Sequence, residues 1–340
     1  MDKIRIANWL LTRRCNLKCE YCGLVRDRDL PELYKPVEYY IENEMSTEYV
    51  ITVLEMLKEH NPDCFHIFYG GEPLLRDDLA EIVQFCNDEN IHYTIITNNT
   101  EVLKPRLEKL LEKVNVKGLS SSVDPALFTY SESDIFKKSV EGFKNLLALK
   151  DRIPDLVAEI TITNESINHL NSLVESLSKE NIISSITAID IAKTPYYDFS
   201  NVENEGELIQ KNQILRDEFD KIINNSSLLV HMKDVIIEGL WNMLPSELDC
   251  RMEDGLHNIS IDADGSLRLC LRIRGKYSSN HVKAHNLFAA NSKSQIISPF
   301  AKICLLKDKK ELCKGCNHTC QLMSQYEDLE EIAHLELRRI

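Results

Sequence analysis

From residue 4 to about 190, short apolar and β-branched runs alternate with stretches whose apolar positions recur every three or four residues. The runs predict strands at Arg5–Leu11, Phe65–Tyr69, His92–Thr97, Gly118–Val123, Leu156–Ile162 and Ser185–Ile191. Helices are expected between them. Ser46 offers an N-cap for the first, with Tyr49, Val50, Val53, Leu54 and Leu57 on one face and Asn61-Pro62 as the stop. Later helical patterns run near Asp78–Glu89, Lys104–Val114, Ser133–Lys150 and Asn168–Glu180. Repeated strand-then-helix units predict an α/β fold with a parallel sheet. Six of them fall short of a closed eightfold barrel of ~250 residues, so residues 1–195 are expected to form a partial (βα)6 TIM-like barrel. Residues 196–245 are polar at first and then helical, near Glu207–Ile223 and Lys233–Met243, and read as a linker. His257–Asp262 and Ser266–Leu271, joined by Ala263-Asp264-Gly265, predict a β-hairpin, because Asp-Gly between alternating apolar runs is a strong turn signal. This hairpin and a terminal helix over Gln321–Arg339 predict a smaller α+β domain at 246–340.

Charge narrows the partners. With 40 Lys+Arg against 54 Asp+Glu the net charge is −14, and no block of five basic residues occurs. A nucleic acid or an anionic membrane is therefore not the expected partner. No apolar run is long enough to span a bilayer, and Met1–Cys15 lacks the features of a secretory signal, so the expected location is the cytoplasm. Eleven cysteines are an odd number and too few for a disulfide scaffold. In a reducing compartment they read as metal ligands. Cys15, Cys19 and Cys22 cluster near the start, and Cys250, Cys270, Cys304, Cys313, Cys316 and Cys320 near the end.

Cys15-Asn-Leu-Lys-Cys19-Glu-Tyr-Cys22 sets three thiols within eight residues, just beyond the first strand. Three soft ligands do not close a tetrahedral zinc site, and an ordinary ferredoxin cluster takes four cysteines. A 4Fe-4S cluster held by three keeps one iron open. The CxxxCxxC spacing, with Tyr21 before the third cysteine, resembles the radical S-adenosylmethionine superfamily. Incidental thiols and a zinc knuckle are the alternatives. Gly70-Gly71-Glu72, after the second strand, resembles the family's GGE motif, which implies that it binds the amino group of S-adenosylmethionine. Glycines there permit close backbone approach, and Glu72 is an acceptor suited to an ammonium.

Barrel enzymes carry their chemistry at the C-terminal ends of strands, which brings in Asn98, Ser122, Asp124 and Asn164. The resemblance implies contacts from Ser122 and Asp124 to the ribose or carboxylate of S-adenosylmethionine. Caps and turns are the alternative at each position. Cys250, Cys270, Cys313, Cys316 and Cys320, with Gly265, resemble the SPASM and twitch domains that follow many such barrels. The resemblance implies one auxiliary 4Fe-4S cluster, with four ligands from these five thiols and the spare one unassigned. A zinc ribbon is the alternative, and Cys304 lies outside the pattern. Cys64, Cys86 and His66 read as core residues. Arg268, Arg272, Arg274 and Lys276 form a basic cluster, either a solvated face or the grip for an anionic substrate.

The resemblance implies that an electron from flavodoxin or ferredoxin cleaves S-adenosylmethionine to methionine and a 5′-deoxyadenosyl radical. That radical then abstracts a substrate hydrogen atom. A two-electron oxidation or crosslink of a small molecule or peptide is expected, which makes the chain an oxidoreductase or maturase. An iron–sulfur or cofactor assembly scaffold without radical chemistry is the competing expectation. Only 14 residues precede Cys15, which argues against an N-terminal peptide-recognition domain. Cys270 is followed by Leu-Arg-Ile-Arg, not by an acidic base, which disfavours a sulfatase-maturing activity.

Overall fold

The computed structural model describes residues 4–19, 22, 37–123, 134–162, 167–188, 213–230 and 258–268. These fall into two compact units. One takes the described residues up to Thr97, then Val102–Gly118 and the hairpin at 258–268; the other takes Asn98–Glu101 and the described residues from Leu119 to 230. The predicted helices near Lys233–Met243 and Gln321–Arg339 lie outside the described residues.

The first unit is built on β1 (Ile6–Thr12), whose residues beyond Ile6 are all buried. A strand covered on both faces reads as a continuous apolar run, and Trp9-Leu10-Leu11 does so here. After α1 (Val37–Glu42) comes α2 (Thr47–His60). The Ser46 side chain accepts from the Tyr49 N–H, and Val50, Val53, Leu54 and Leu57 are buried on one face. Asn61 ends the helix, donating its backbone N–H to the Leu57 carbonyl and its side-chain amide to the Ile4 carbonyl. Then follow β2 (Phe65–Gly70), α3 (Leu79–Asp88), β3 (His92–Thr97) and α4 (Lys104–Lys113).

β1 pairs in parallel with β2, and β2 with β3. On its other edge β1 pairs in parallel with β7 (Asn258–Ile261), which turns back into the antiparallel β8 (Leu267–Arg268). The order in this unit is β3-β2-β1-β7-β8. Both hairpin strands stand where the sequence predicts them. Their addition to the edge of β1 joins positions about 250 residues apart, and no local pattern carries it.

The second unit holds β4 (Gly118–Ser122) from Leu119 onward, α5 (Asp134–Leu149), β5 (Asp155–Ile162), α6 (Leu170–Lys179), β6 (Ile183–Ala188) and α7 (Gln213–Asn224). Its strand order is β6-β5-β4, with β5 and β6 parallel. α6 buries Leu170, Leu173, Val174 and Leu177, and its first turn is held by Glu218 of α7, which accepts from the Asn171 N–H at 2.8 Å. All six strand-then-helix repeats are present, and the α/β class expected from periodicity is the one observed. No helix among the described residues is long and apolar enough to cross a membrane.

Candidate metal centre

Cys15, Cys19 and Cys22 follow β1, and all three are half-buried. The Cys22 N–H donates to the Cys19 carbonyl at 3.0 Å, closing a tight turn, and the Leu17 N–H points at the Cys15 sulfur at 3.4 Å. Burial pushes the Cys15 thiol up to about 11; the Leu17 N–H opposes that, and the charges of Glu72, Cys22 and Cys19 add to it. Three thiols on one loop and a carboxylate from the turn after β2 thus share one electrostatic field. A bound metal reverses this balance, because coordination deprotonates a thiol outright. Soft sulfur donors in a set of three suit an iron–sulfur cluster, whereas a structural zinc site closes its shell with four. Among the described residues no three His, Cys, Asp or Glu side chains stand at metal-ligand spacing.

The Gly-Gly-Glu turn is docked on the stem of that loop. The Gly71 N–H donates to the Thr12 carbonyl and the Glu72 N–H to the Arg14 carbonyl, each at 2.8 Å. There is no room for a side chain at this junction. A Cβ at position 70 would lie 2.4 Å from the Thr12 oxygen, and one at 71 would lie 2.2 Å from the Arg14 oxygen. Gly70 also has φ +154°, which other residues rarely adopt. The Glu72 side chain is fully buried. Its Oε1 accepts from the Leu74 N–H at 3.0 Å and from the Thr97 hydroxyl at 2.8 Å, so the carboxylate is aimed by its own turn and by the tip of β3.

Two arginines between Thr12 and Cys15 anchor the stem. Buried Arg13 grips Asp262 with Nε at 3.2 Å and Nη2 at 3.0 Å, and its guanidinium lies 3.8 Å from the centre of the Tyr40 ring. Arg14 donates to the Thr12 hydroxyl at 3.3 Å and to Glu44 at 2.8 Å. Beneath them Arg76 donates to the carbonyls of Leu11 and Met45 and pairs with Asp78. Burial alone would push the Asp78 carboxyl up, but hydrogen bonds from Arg76 and Thr47 and the Arg76 charge hold it below the usual carboxylate range. Sequence reading missed Thr97 as a brace, and Arg13, Asp262 and Arg76 as supports. Arg-Arg directly before Cys15 was the one visible signal.

Asn98 and Ser122 belong to the second unit. The Asn98 side-chain oxygen accepts from the Thr100 N–H at 3.3 Å and the Thr100 hydroxyl at 3.1 Å, a local turn. Its neighbour Asn99, at φ 47°, donates to the Ser121 hydroxyl at 3.1 Å, and its carbonyl accepts from Asn145 at 2.7 Å. Ser122 is half-buried, and its carbonyl lies 2.5 Å from where a Cβ on Gly142 would sit. Tyr21, Asp124, Asn164, Cys250, Cys270, Cys304, Cys313, Cys316, Cys320, Arg272, Arg274 and Lys276 lie outside the described residues. His66 is a core residue: Trp9 Nε1 donates to its Nδ1 at 3.0 Å, and burial, helped by nearby His92, lowers its pKa to about 3. Cys64 and Cys86 are buried, and burial pushes both thiols up to about 12.

Residues 9–177 match the family model of the Radical SAM superfamily. The chain belongs to this superfamily. The Fe-coproporphyrin III synthase of Methanosarcina barkeri is 26% identical over 185 residues, which span 53% of this chain and 43% of that protein. A probable GTP 3',8-cyclase of Methanocaldococcus jannaschii is 26% identical over 281 residues, 79% of this chain and 85% of that one. Native anSMEcpe with bound AdoMet and Cp18Cys peptide superposes with a TM-score of 0.54 at 16% identity, covering 99% of this chain and 98% of its own. That last likeness shows the radical SAM fold.

Proposed function

We propose that the chain is a radical S-adenosylmethionine oxidoreductase or maturase that takes a hydrogen atom from a small molecule or peptide and completes a two-electron oxidation or crosslink. The observation carrying this reading is the docking of Gly70-Gly71-Glu72 onto the stem of the Cys15–Cys22 loop, because it sets a buried carboxylate in the field of the thiols. A 4Fe-4S cluster and S-adenosylmethionine, once bound, would supply reductive cleavage of the sulfonium to methionine and a 5′-deoxyadenosyl radical, with flavodoxin or ferredoxin as the electron source.

The chain's own residues bind and orient. Cys15, Cys19 and Cys22 hold the cluster as thiolates. Glu72 accepts from the ammonium of S-adenosylmethionine, held in aim by the Leu74 N–H and Thr97. The bare backbone at Gly70 and Gly71 keeps the two motifs in contact. Tyr21, Asn98, Ser122, Asp124 and Asn164 take the remaining contacts to the cofactor. Cys250, Cys270, Cys313, Cys316 and Cys320 supply four ligands to an auxiliary 4Fe-4S cluster in the 246–340 segment. The names of the two relatives point to small molecules, and the structural neighbour carries a peptide, which supports both substrate classes.

Anaerobic reconstitution with iron and sulfide, an iron count and an assay for 5′-deoxyadenosine with dithionite test this. The expected result is about eight irons per chain and product formed. Cys15→Ala, Cys19→Ala and Cys22→Ala each abolish product; Cys316→Ala removes about four irons but leaves some cleavage; Cys64→Ser changes neither. Eight irons without product would favour an assembly scaffold, and equal iron in wild type and Cys316→Ala would sink the auxiliary cluster.

A further inference from the structure

We propose that Asp262, in the C-terminal hairpin, is a positioning residue for the Cys15–Cys22 loop and acts through Arg13. The proposal rests on the cluster-binding role given to that loop above.

Parallel pairing sets the C-terminal end of β7 beside the C-terminal end of β1, with Ile261 opposite Trp9. Asp262 is the next residue, so its carboxylate emerges at the strand end from which the cysteine loop departs. The turn around it is rigid. Its backbone N–H donates to the Ser266 carbonyl at 2.9 Å, its carbonyl accepts from the Gly265 N–H at 2.8 Å, and its Oδ1 accepts from the Ala263 N–H at 2.8 Å. Outside contacts fix the turn as well. The Met45 N–H donates to the Ala263 carbonyl at 2.8 Å and the Tyr49 hydroxyl to the Gly265 carbonyl at 3.3 Å, while Gly265 at φ +77° sits so close to Tyr49 that no side chain fits.

Arg13 is held by this turn with a two-point grip, and the side chains are only 4% and 2% exposed. A forked guanidinium–carboxylate pair fixes direction as well as distance, which a lysine's point charge does not. A buried guanidinium stripped of its carboxylate does not stay where it is, because an unpaired buried charge is strongly disfavoured. Arg13 lies two residues from Cys15, so its departure moves the stem on which the Gly-Gly-Glu turn is docked. Residues that orient metal ligands from behind typically change metal affinity by about 10–100-fold when removed. Asp262 stands one step further back, holding Arg13 two residues before Cys15 from 249 residues away in the chain.

The test compares Asp262→Asn, Arg13→Lys and Tyr49→Phe in the reconstituted full chain. The readouts are the rate at which a chelator strips iron and the change in the cluster's electron paramagnetic resonance on adding S-adenosylmethionine. Asp262→Asn and Arg13→Lys are expected to speed iron loss by about 10-fold or more and to alter that spectral response. Asp262→Glu is expected to recover part of both. Tyr49→Phe removes one long hydrogen bond to the hairpin but leaves the turn's own bonds, the Met45 contact and the Arg13–Asp262 pair in place, and is expected to keep wild-type values. If Asp262→Asn does not fold, Arg13→Lys and Tyr49→Phe carry the comparison. Wild-type rates and spectra in Asp262→Asn or Arg13→Lys would overturn the proposal, as would an equal change in Tyr49→Phe. Failure of the underlying reading looks different: Cys15→Ala would then leave the spectral response to S-adenosylmethionine intact.

Discussion

Gly71→Ala adds one methyl group at the junction of the two motifs, and its cost follows from the geometry. The new Cβ would lie 2.2 Å from the Arg14 carbonyl oxygen, 2.7 Å from the carbon of that carbonyl and 3.1 Å from the Arg13 carbonyl carbon. All three atoms are backbone, so no side chain can swing aside. An ordinary carbon–oxygen approach is about 3.3 Å, so the strand and the loop stem must separate by roughly 1 Å. The Glu72 N–H to Arg14 bond, now 2.8 Å, then opens beyond hydrogen-bonding range. A buried donor left unsatisfied costs about 1–3 kcal/mol and the overpacking about 1–3 more, so ~4 kcal/mol is expected. Gly142→Ala is the comparator, since its Cβ would meet the Ser122 carbonyl at 2.5 Å in the second unit. Both variants are expected to shift the urea midpoint, but Gly71→Ala alone to lose the iron bound at the cysteine loop. A cost below about 1 kcal/mol for Gly71→Ala, or unchanged iron retention, would refute the docking argument.

Two further outcomes are expected. His66 is buried and neutral in the fold, with a pKa of about 3 against an ordinary 6.5, so the unfolded chain binds the extra proton between those values. Its contribution is complete above pH 6.5 and is lost as pH falls toward 3, at up to about 1.4 kcal/mol per pH unit; urea titrations at several pH values should show the slope, and His66→Gln should lack it. Thr97→Val keeps the volume of β3's last residue but withdraws the hydroxyl from Glu72 Oε1. It is expected to raise the KM for S-adenosylmethionine about 10-fold, with recovery in Thr97→Ser, and an unchanged KM would show that the brace does not aim the carboxylate.

Local pattern carried the elements of this fold almost to the residue. β3 runs from His92 to Thr97 as its alternation predicts, and Ser46 caps α2 as its side chain predicts, because both depend on neighbours in sequence. The same holds for the hairpin turn, where Asp264-Gly265 supplies the bend. The short α1 was missed because six residues are too few to show a helical period. The site was half legible. Cysteine spacing and Gly-Gly-Glu identify two motifs, but nothing along the chain says that one sits on the stem of the other. Thr97 reaching Glu72 and Asp262 reaching Arg13 are products of parallel pairing, which brings together strand ends from distant segments. Such partners are ordinary polar residues until the sheet places them.

The strand order of the first unit also has a consequence for biogenesis. β1 is made long before β7, so its second edge is not covered until β7 has been made, and the Arg13–Asp262 pair forms only after a further 249 residues. At ~5–20 residues per second the nascent chain spends tens of seconds with an open, apolar strand edge. If the cysteine loop holds a cluster as proposed, loading would follow that interval, once translation has passed the hairpin and the Arg13–Asp262 pair has formed.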